Sequence, residues 1–211
     1  MSRRSDPVAE AVAAARRGAL IVLPTDTVYG VGTRPDDPAA TAALFEAKGR
    51  PRDLTLPVLV ASSAEADEVA ALDERARRLA VACWPGPLTL VVPRTSRSAS
   101  WDLGGDARTI GVRVPAHPLA LAVLARSGPL AVTSANLTGE PPARTCDELV
   151  ATFGERVAVY LCHDEPLEGR ASTVVDLTRR EPEILREGDL DPAALRRLLA
   201  GEGPLLDSGP S

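Results

Sequence analysis

The stretch ALIVLPTDTVYGVG, residues 19–32, joins an apolar segment to a polar loop. Its first part, Ala19–Leu23, is an unbroken apolar run, which predicts a buried strand. Its second part, Pro24–Gly32, carries hydroxyls, the carboxylate of Asp26 and glycines that let a ligand approach the backbone closely. In an open α/β sheet, ligands bind at the carboxyl ends of the strands. The stretch therefore predicts a binding loop, if the rest of the chain completes such a sheet.

The rest of the chain alternates between helical and extended segments. Helices are predicted to begin at Asp6-Pro7, Asp37-Pro38 and Asp191-Pro192, because aspartate caps a helix and proline fits its first turn. Gly18 and Gly49 are the predicted ends of the first two. The other predicted helices cover residues 63–72, 73–83, 117–126 and 145–153, and the other predicted strands cover residues 57–61, 88–92, 109–114, 130–134, 156–162, 172–177 and 183–186.

This order of segments indicates an α/β protein with flanking helices. We expect an open mixed sheet, because the connections between strands range from a helix to a long loop. The chain has 211 residues and no internal linker, so a single domain is predicted over residues 6–200. Residues 201–211 are rich in glycine, proline and serine and are expected to form a flexible tail.

Composition limits the classes of function. With 24 basic and 29 acidic residues, the net charge of −5 argues against a nucleic-acid binder that relies on electrostatic attraction. No apolar run approaches the roughly 18 residues of a membrane-spanning helix, and the N-terminus does not resemble a signal peptide. These features predict a cytoplasmic protein whose cysteines, Cys83, Cys146 and Cys162, are reduced and serve as small core residues.

Common catalytic motifs are absent from the sequence. It lacks the glycine-rich nucleotide-binding fingerprints, GxSxG, HExxH and CxxC. A Ser-His or Cys-His nucleophile and a zinc site both use histidine, and the chain has only two histidines. Neither kind of site is therefore expected, and no metal ligands are predicted. His117 precedes Pro118 and is expected to cap a helix, whereas His163 lies in an acidic loop and is expected to be solvated.

Four polar runs stand beside the predicted strands and helix ends. They are Pro24–Gly32, Lys48–Arg52, Thr133–Gly139 and Gly169–Thr173. Lys48–Arg52 holds three cations and the only lysine of the chain, in a predicted tight turn; either a phosphate or carboxylate clamp, or cations placed at a helix C-terminus, would explain it. Arg113, on a predicted strand, is a candidate partner for a carboxylate.

Taken together, the four runs combine a cationic clamp with several hydroxyl loops. This combination suits an enzyme that positions an anionic nucleotide and a small polar co-substrate. Phosphorus chemistry of that kind relies on positioning and charge neutralisation, with Mg²⁺ accompanying the nucleotide.

At these residues the sequence resembles the YrdC/Sua5 family of threonylcarbamoyl-AMP synthases. The matching stretches occur in the family's order: PTDTVYGVG at 24–32, KGRP at 48–51, WPGPLTLV at 84–91, TIGVRVP at 109–115, SAN at 134–136 with Gly139, and ASTVVD at 171–176 with Ile184-Leu185-Arg186. The set covers roughly residues 8–190. The chain has 211 residues, so the resemblance is to the short form of the family, and no C-terminal Sua5 domain is expected.

The resemblance implies a twisted open sheet around a concave basic pocket. It also implies a reaction in which L-threonine, bicarbonate or CO₂, and ATP with Mg²⁺ give L-threonylcarbamoyladenylate and pyrophosphate. The product serves the t⁶A modification of tRNA, which implies downstream tRNA threonylcarbamoyl transferase proteins as partners and a weak tRNA contact. Lys48 and Arg50 are implied as the catalytic phosphate clamp.

The resemblance also implies two groups of binding residues. The implied ATP contacts are Lys48, Arg50, Thr109, Ser134, Asn136, Arg144 and Arg186. The implied threonine contacts are Thr27, Arg113, Ser134 and Ser172. The chain departs from the family at residues 52–56, where RDLTL replaces a pattern with Pro-Leu, and at Leu59, where some relatives have histidine.

Two other functions remain open at this point. One is a non-catalytic module of the same fold that binds double-stranded RNA or a nucleotide. The other is a paralogue that acts on a different carbamoyl-adenylate substrate, as related domains do in hydrogenase maturation. The acidic net charge and the scarcity of aromatic residues, 3% of the chain, weigh against the RNA-binding alternative.

Overall fold

A computed structural model of the chain describes residues 6–163 and 165–201. Residues 202–211 of the predicted tail lie outside the described residues. The helices are α1 (Pro7–Arg16), α2 (Pro38–Lys48), α3 (Ser63–Val69), α4 (Glu74–Cys83), α5 (Pro118–Ser127), α6 (Cys146–Phe153) and α7 (Pro192–Leu199), with a 3₁₀ turn over Gly154–Arg156. The strands are β1 (Leu20–Leu23), β2 (Gly30–Thr33), β3 (Val58–Leu59), β4 (Leu88–Pro93), β5 (Thr109–Arg113), β6 (Leu130–Ser134), β7 (Val157–Tyr160), β8 (Thr173–Asp176) and β9 (Glu183–Arg186).

The predicted helix starts are confirmed. The side chains of Asp6, Asp37 and Asp191 each accept a hydrogen bond from a backbone N–H of the first turn, and a proline follows each one. Helix α2 ends at Gly49, whose φ of +57° is a left-handed conformation that glycine adopts without steric cost. The caps therefore set where these helices begin and where α2 stops.

The strands form one nine-stranded mixed sheet in the order β7-β1-β2-β6-β3-β5-β4-β8-β9. The pairs β1/β7, β3/β5 and β4/β8 are parallel, and the other neighbouring pairs are antiparallel. Non-consecutive neighbours such as β6 and β3 require crossovers, which the helices and long loops provide. The predicted mixed α/β sheet is confirmed.

Strand β2 was not predicted, because Gly30 and Gly32 lie in what the sequence indicated to be a loop. Glycine has a low strand propensity and gives no strand signal. A Cβ at Gly30 would lie 2.5 Å from Cγ1 of Val132, and one at Gly32 would lie 2.5 Å from the carbonyl oxygen of Ala131. The two glycines are thus what allows β2 to pair closely with β6.

The two faces of the sheet are covered differently. One face carries the larger apolar core, to which alternate residues of the central strands contribute, such as Leu88, Leu90 and Val112. On the other face, α1 and α5 pack on Ile21, Leu23 and neighbouring residues of one half of the sheet. On the remaining half of that face, side chains of β4, β5 and β8 line a cavity.

Two of the three cysteines form a disulfide, Cys146–Cys162, with a Cα–Cα distance of 5.7 Å. It joins the first residue of α6 to the segment that follows β7. The expectation of three reduced cysteines is wrong for this pair, because nothing in the spacing of the two residues shows that the two elements meet. Cys83 is free and buried, as expected of a core residue. In the described ranges, no helix is both long and apolar enough to cross a membrane.

Candidate active site

A cavity of about 610 Å³ lies on the open half of the sheet. Its floor consists of residues from three strands, including Thr89 and Val91 of β4, Gly111 and Arg113 of β5, and Val174 of β8. Thr27 follows β1, and Arg113 and Ser134 are the last residues of β5 and β6, as a site at the carboxyl ends of strands requires, whereas Thr89, Gly111 and Val174 lie within their strands. Alternation along each strand turns every second side chain to the cavity and the others to the core.

The sequence-predicted residues separate into two groups. Those that line the cavity are Thr27, Arg50, Thr109, Arg113, Ser134, Ser172 and Arg186. Lys48, Asn136 and Arg144 are not among its lining residues. The structure therefore brings together seven of the ten residues, from six separate segments of the chain.

Arg113 is the most constrained cation of the cavity. Its Nη2 lies 2.7 Å from Oδ1 of Asp26 in a buried ion pair, its Nη1 donates to Oγ1 of Thr27 at 2.9 Å, and its Nε donates to the carbonyl of Gly86 at 3.0 Å. Burial lowers the pKa of Arg113, and the charge and hydrogen bond of Asp26 oppose that shift. Three of the five guanidinium N–H groups are used in this way, which leaves two for a ligand carboxylate.

Arg50 and Arg186 are two further cations that line the cavity. Arg50 donates to the carbonyls of Leu54 (3.2 Å) and Thr55 (2.9 Å), which hold it on the loop after α2. Arg186 of β9 donates to the carbonyl and the hydroxyl of Ser172 at 2.9 and 3.0 Å. Burial lowers the pKa of Arg50, and the positive charge of Arg186 lowers it further. An anion between the two would relieve this repulsion.

Paired hydroxyls supply the neutral polar surface of the cavity. Oγ1 of Thr27 lies 2.9 Å from Oγ1 of Thr25, and Oγ of Ser172 lies 2.9 Å from Oγ1 of Thr89. Thr109 also lines the cavity, and its hydroxyl donates to the carbonyl of Asp106 at 3.3 Å. Because hydroxyls both donate and accept, these pairs can exchange one partner for a substrate oxygen.

Lys48 has a different place from the one predicted. It is the last residue of α2 rather than part of a turn, it is 2% exposed, and its Nζ donates to the backbone carbonyls of Ser134 and Asn136. Burial lowers the pKa of Lys48 to about 8, and the charge of Arg50 contributes. The ammonium group thus holds the backbone of Ser134, which lines the cavity, although Lys48 itself does not line it.

Asn136 and Arg144 are also engaged away from the cavity. Nδ2 of Asn136 donates to the carbonyls of Leu137 and Glu140, both at 2.7 Å, and its Oδ1 is buried with no partner among the described residues. Arg144 is exposed and forms an ion pair with Glu168. Asn136 therefore shapes its own loop, and Arg144 belongs to the surface.

Sequence reasoning missed several residues of the cavity. Asp26 was quoted within its motif but given no role, although it is the partner of Arg113. Thr89 could have been found as a polar position alternating with Leu88 and Leu90 in an apolar strand. The cavity also contains Asp53, Asp106, Arg108, Asp176 and Arg179. Asp176 was quoted within ASTVVD but given no role, and no pattern in the sequence singles out the other four.

The family model Sua5_yciO_yrdC, described as "Telomere recombination", matches residues 13–188. A protein of Mycobacterium leprae is 44% identical over 198 residues, which are 93% of this chain and 90% of that protein. The threonylcarbamoyl-AMP synthase of Chromohalobacter salexigens is 41% identical over 186 residues, which are 86% of this chain and 98% of that protein.

A solved structure has the same fold. Pyrococcus abyssi Sua5 complexed with L-threonine superposes with a TM-score of 0.83 at 34% identity. The match covers 96% of this chain and 60% of that chain, so this chain spans about three fifths of the length of that Sua5. The architecture of the sheet, the family model and the identity to these relatives agree: the chain belongs to the Sua5/YciO/YrdC family.

Proposed function

We propose that the protein is a threonylcarbamoyl-AMP synthase, an enzyme that transfers the adenylyl group of ATP. In this reaction L-threonine, bicarbonate or CO₂, and ATP give L-threonylcarbamoyladenylate and pyrophosphate. The observation that carries the proposal is the convergence of Arg50, Arg113 and Arg186 with paired hydroxyls in one cavity. The names of the relatives support it, as does the Sua5 structure that contains L-threonine.

The threonine end of the proposed site is at Arg113. Its two remaining N–H groups suit a bidentate contact with the substrate carboxylate. Thr27, Ser172 and Ser134 offer hydroxyls around it. Leu59, on the strand next to Arg113, adds an apolar wall, since the two residues are partners in the register of β3 and β5. A pocket with both surfaces suits a side chain that carries a hydroxyl and a methyl.

The nucleotide end of the proposed site lies between Arg50 and Arg186. These two guanidinium groups would contact the phosphates, with Thr109 beside them. Lys48 and Asn136 do not line the cavity, and the ammonium group of Lys48 holds the backbone of residues 134–136. We leave Arg144 out of the proposed site because it is paired with Glu168 on the surface.

The proposed chemistry has two steps. Threonine and bicarbonate condense to a carbamate, with release of water and a proton. A carbamate oxygen then forms a bond to the α-phosphorus of ATP, and the bond from that phosphorus to the bridging oxygen breaks, so that pyrophosphate leaves. Guanidinium groups placed along the phosphates stabilise the charge that develops on them, which is the main contribution a protein makes to phosphoryl chemistry.

Mg²⁺ is proposed to enter with ATP. Within the described residues, no three or more His, Cys, Asp or Glu side chains gather into a metal site. The cavity does contain the separate carboxylates of Asp53, Asp106 and Asp176. Mg²⁺ in nucleotide sites is commonly held by substrate phosphates, water and one or two carboxylates, so these residues fit an ion that arrives on the nucleotide. There it would neutralise phosphate charge.

The product is a mixed anhydride and therefore a reactive acylating agent. It must be consumed by a transferase, and we propose tRNA threonylcarbamoyl transferase proteins of the t⁶A modification as the downstream partners.

The proposal is tested by incubating the protein with ATP, Mg²⁺, bicarbonate and one amino acid at a time, with pyrophosphate release as the readout. We expect release that requires L-threonine and bicarbonate together. Release with another amino acid instead would identify a paralogue with a different substrate. RNA binding with a steep dependence on salt and no pyrophosphate release would identify a binding module and overturn the proposal.

A further inference from the structure

The chain has two histidines, and the fold brings them together. Nε2 of His117, at the start of α5, lies 2.6 Å from Nε2 of His163, in the segment after β7. The rings meet edge to face, with centroids 4.8 Å apart. His163 is exposed and His117 half-buried. The expected helix cap at His117 is confirmed, since its Nδ1 accepts the backbone N–H of Leu119 at 3.2 Å, but the contact with His163 was not predicted.

This contact completes a closed ring of hydrogen bonds. Oδ1 of Asp26 accepts the backbone N–H of Ala116 at 2.9 Å, and His117 is the next residue. On the far side of the imidazole pair, the backbone N–H of His163 donates to the hydroxyl of Tyr29 at 2.9 Å. The chain from Asp26 to Tyr29 closes the ring. Residues 26–29 are thus held at both ends, and the histidine pair joins the two supports.

The segment that the ring holds forms part of the cavity. Thr27, Val28 and Tyr29 line it, and Asp26 and Thr27 are the side chains that position the guanidinium of Arg113. Separation of the histidines removes the link between the two supports, whereas the bonds of Ala116 to Asp26 and of His163 to Tyr29 remain. The contact between the imidazoles therefore adds to the restraints on Thr27 and Arg113, which the bonds of Arg113 to Asp26 and Gly86 also supply.

The contact can exist with only one proton between the two Nε2 atoms. Because Nδ1 of His117 accepts from Leu119, neutral His117 carries its proton on Nε2 and donates it to Nε2 of His163. An added proton on Nε2 of His163 places two N–H groups against each other. A proton added to Nδ1 of His117 instead keeps the contact between the rings and costs the helix cap. An added proton therefore costs either the contact between the rings or the cap.

We infer that His117 and His163 form a pH-sensitive clasp that positions Thr27 and Arg113 for the amino-acid substrate. The inference rests on the proposed function and adds a regulation to it. The pair touches no cavity surface, so the histidines are positioning residues. At neutral pH the clasp is closed, and on acidification it opens and weakens threonine binding.

The surroundings of His117 favour its neutral form. Burial lowers the pKa of His117, the charge of His163 lowers it further, and the carboxylate of Asp26 opposes both. The N-terminus of α5, which begins one residue later, also disfavours a cation at this position. The closed state holds His117 neutral. As pH falls below about 6.5, the ordinary pKa of histidine, the open state is therefore favoured, because His117 can be protonated there.

The test is the affinity for L-threonine at about pH 7.5 and pH 5.5, measured by calorimetry without ATP. L-threonine stays a zwitterion over this range, so its own charge does not change. We expect binding to weaken by up to about tenfold at the lower pH, the limit for one proton linked to binding over one pH unit below 6.5. Unchanged affinity at the two pH values would overturn the clasp, while failure to bind at either pH would overturn the proposed function together with the clasp.

Two variants separate the clasp from other effects. His163→Gln offers a neutral acceptor to His117, and we expect it to bind threonine at about pH 7.5 and to lose most of the pH dependence. An undiminished pH dependence in this variant would show that another group is responsible and would overturn the inference. His117→Asn keeps a good helix cap but is too short to reach residue 163, and we expect it to bind more weakly at both pH values. Wild-type binding by His117→Asn at both pH values would contradict the clasp.

A second measurement does not depend on threonine. The two imidazoles give a simple proton NMR spectrum, which can be followed through a pH titration of the free protein. In His163→Gln the charge that opposes protonation of His117 is gone, so we expect His117 to titrate at a higher pH than in the wild type. An unchanged titration of His117 would show that the rings do not interact in solution and would contradict the clasp.

Discussion

The arginines in and near this cavity have different roles because different partners hold each guanidinium group. Arg113 is fixed by Asp26, Thr27 and the carbonyl of Gly86, so its remaining N–H groups point to a defined place. Arg50 is held only by two carbonyls of its own loop. Arg52, two residues on, pairs with Asp102 and stacks over the ring of Phe45. Neighbours in the sequence therefore have separate roles.

Arg50 and Arg52 provide a matched pair for testing the phosphate clamp. Arg50→Ala should lower pyrophosphate release about a hundredfold or more, because it removes a cation that lines the cavity. Arg52→Ala removes the same charge from a residue that does not line the cavity, and should change the rate less than about threefold. Steady-state kinetics with ATP as the varied substrate gives both values. Equal losses in the two variants would mean that general charge matters and not the contact at Arg50.

Lys48 predicts a dependence of stability on alkaline pH. Its pKa in the folded chain is about 8, against an ordinary value of 10.5. Between these values the unfolded chain holds a proton that the folded chain has released. The free energy of unfolding therefore gains a contribution from Lys48 that rises with pH in this window, by at most about 1.4 kcal/mol per pH unit.

Lys48→Met should remove this contribution. Lys48 is the only lysine of the chain, so no other lysine contributes to the pH dependence of either protein. Urea unfolding at about pH 7.5 and pH 9.5 measures it. Cys83 and Tyr160, whose pKa values are raised by burial, contribute equally to both proteins. The same slope with pH in the variant and the wild type would show that Lys48 keeps its proton throughout.

Among the secondary-structure elements, β4, β5 and β8 do most to form the site. Each places apolar residues in the core on one side and cavity residues on the other, so a shift of one residue in register would turn side chains such as Thr89 and Arg113 away from the cavity. Gly111 of β5 is part of this floor, directly between the side chains of Pro57 and Thr89. Its missing side chain leaves room above the strand.

Gly111 therefore predicts a steric effect on substrate binding. A Cβ there would lie 3.5 Å from Cβ of Pro57 and from Cγ2 of Thr89, which is ordinary contact, so Gly111→Ala should fold and keep most of its activity. Gly111→Val adds two methyl groups over the floor and should lower kcat/KM for threonine at least about tenfold, since misplacing a substrate by about 1 Å costs about a hundredfold. A fully active Gly111→Val enzyme would show that substrate does not reach the floor.

For the molecule as a whole, the uneven cover of the sheet creates the site. Helices α1 and α5 shield one half of a face, and the other half remains open beside them as the cavity. The net charge of −5 coexists with arginines gathered at this one place. The disulfide links α6 to the segment after β7, which is the segment that carries His163.

The disulfide predicts a loss of global stability on reduction. It closes a loop with a sequence separation of 16, and a cross-link of about 15 residues stabilises a protein by about 3 kcal/mol in the chain-entropy model. The double variant Cys146→Ser, Cys162→Ser should lose about this amount in urea unfolding. Reductant should lower the stability of the wild type to the same level and leave the variant unchanged. If reductant has no effect on the wild type, the pair is not linked in the purified protein.

Local patterns were sufficient for much of the fold. The Asp-Pro helix starts, Gly49 after α2 and the apolar runs of β1, β4 and β6 are all decided by interactions between residues close in sequence, so the sequence predicts them. The Gly30–Thr33 strand was missed because its glycines are selected by the approach of β6, a neighbour about a hundred residues away. The mixed sheet was expected from the connections, but its strand order was not.

The amino-acid sequence by itself determined the class of fold, the family resemblance and seven of the residues that line the cavity. Only the tertiary structure decided that Lys48 and Asn136 do not line the cavity, that Arg144 lies on the surface, that Asp26 holds Arg113, and that Cys146 meets Cys162 and His117 meets His163. The physical reason is the range of the interactions. Caps and alternation act between near neighbours, whereas burial, ion pairing and disulfide formation depend on which distant segments pack against each other.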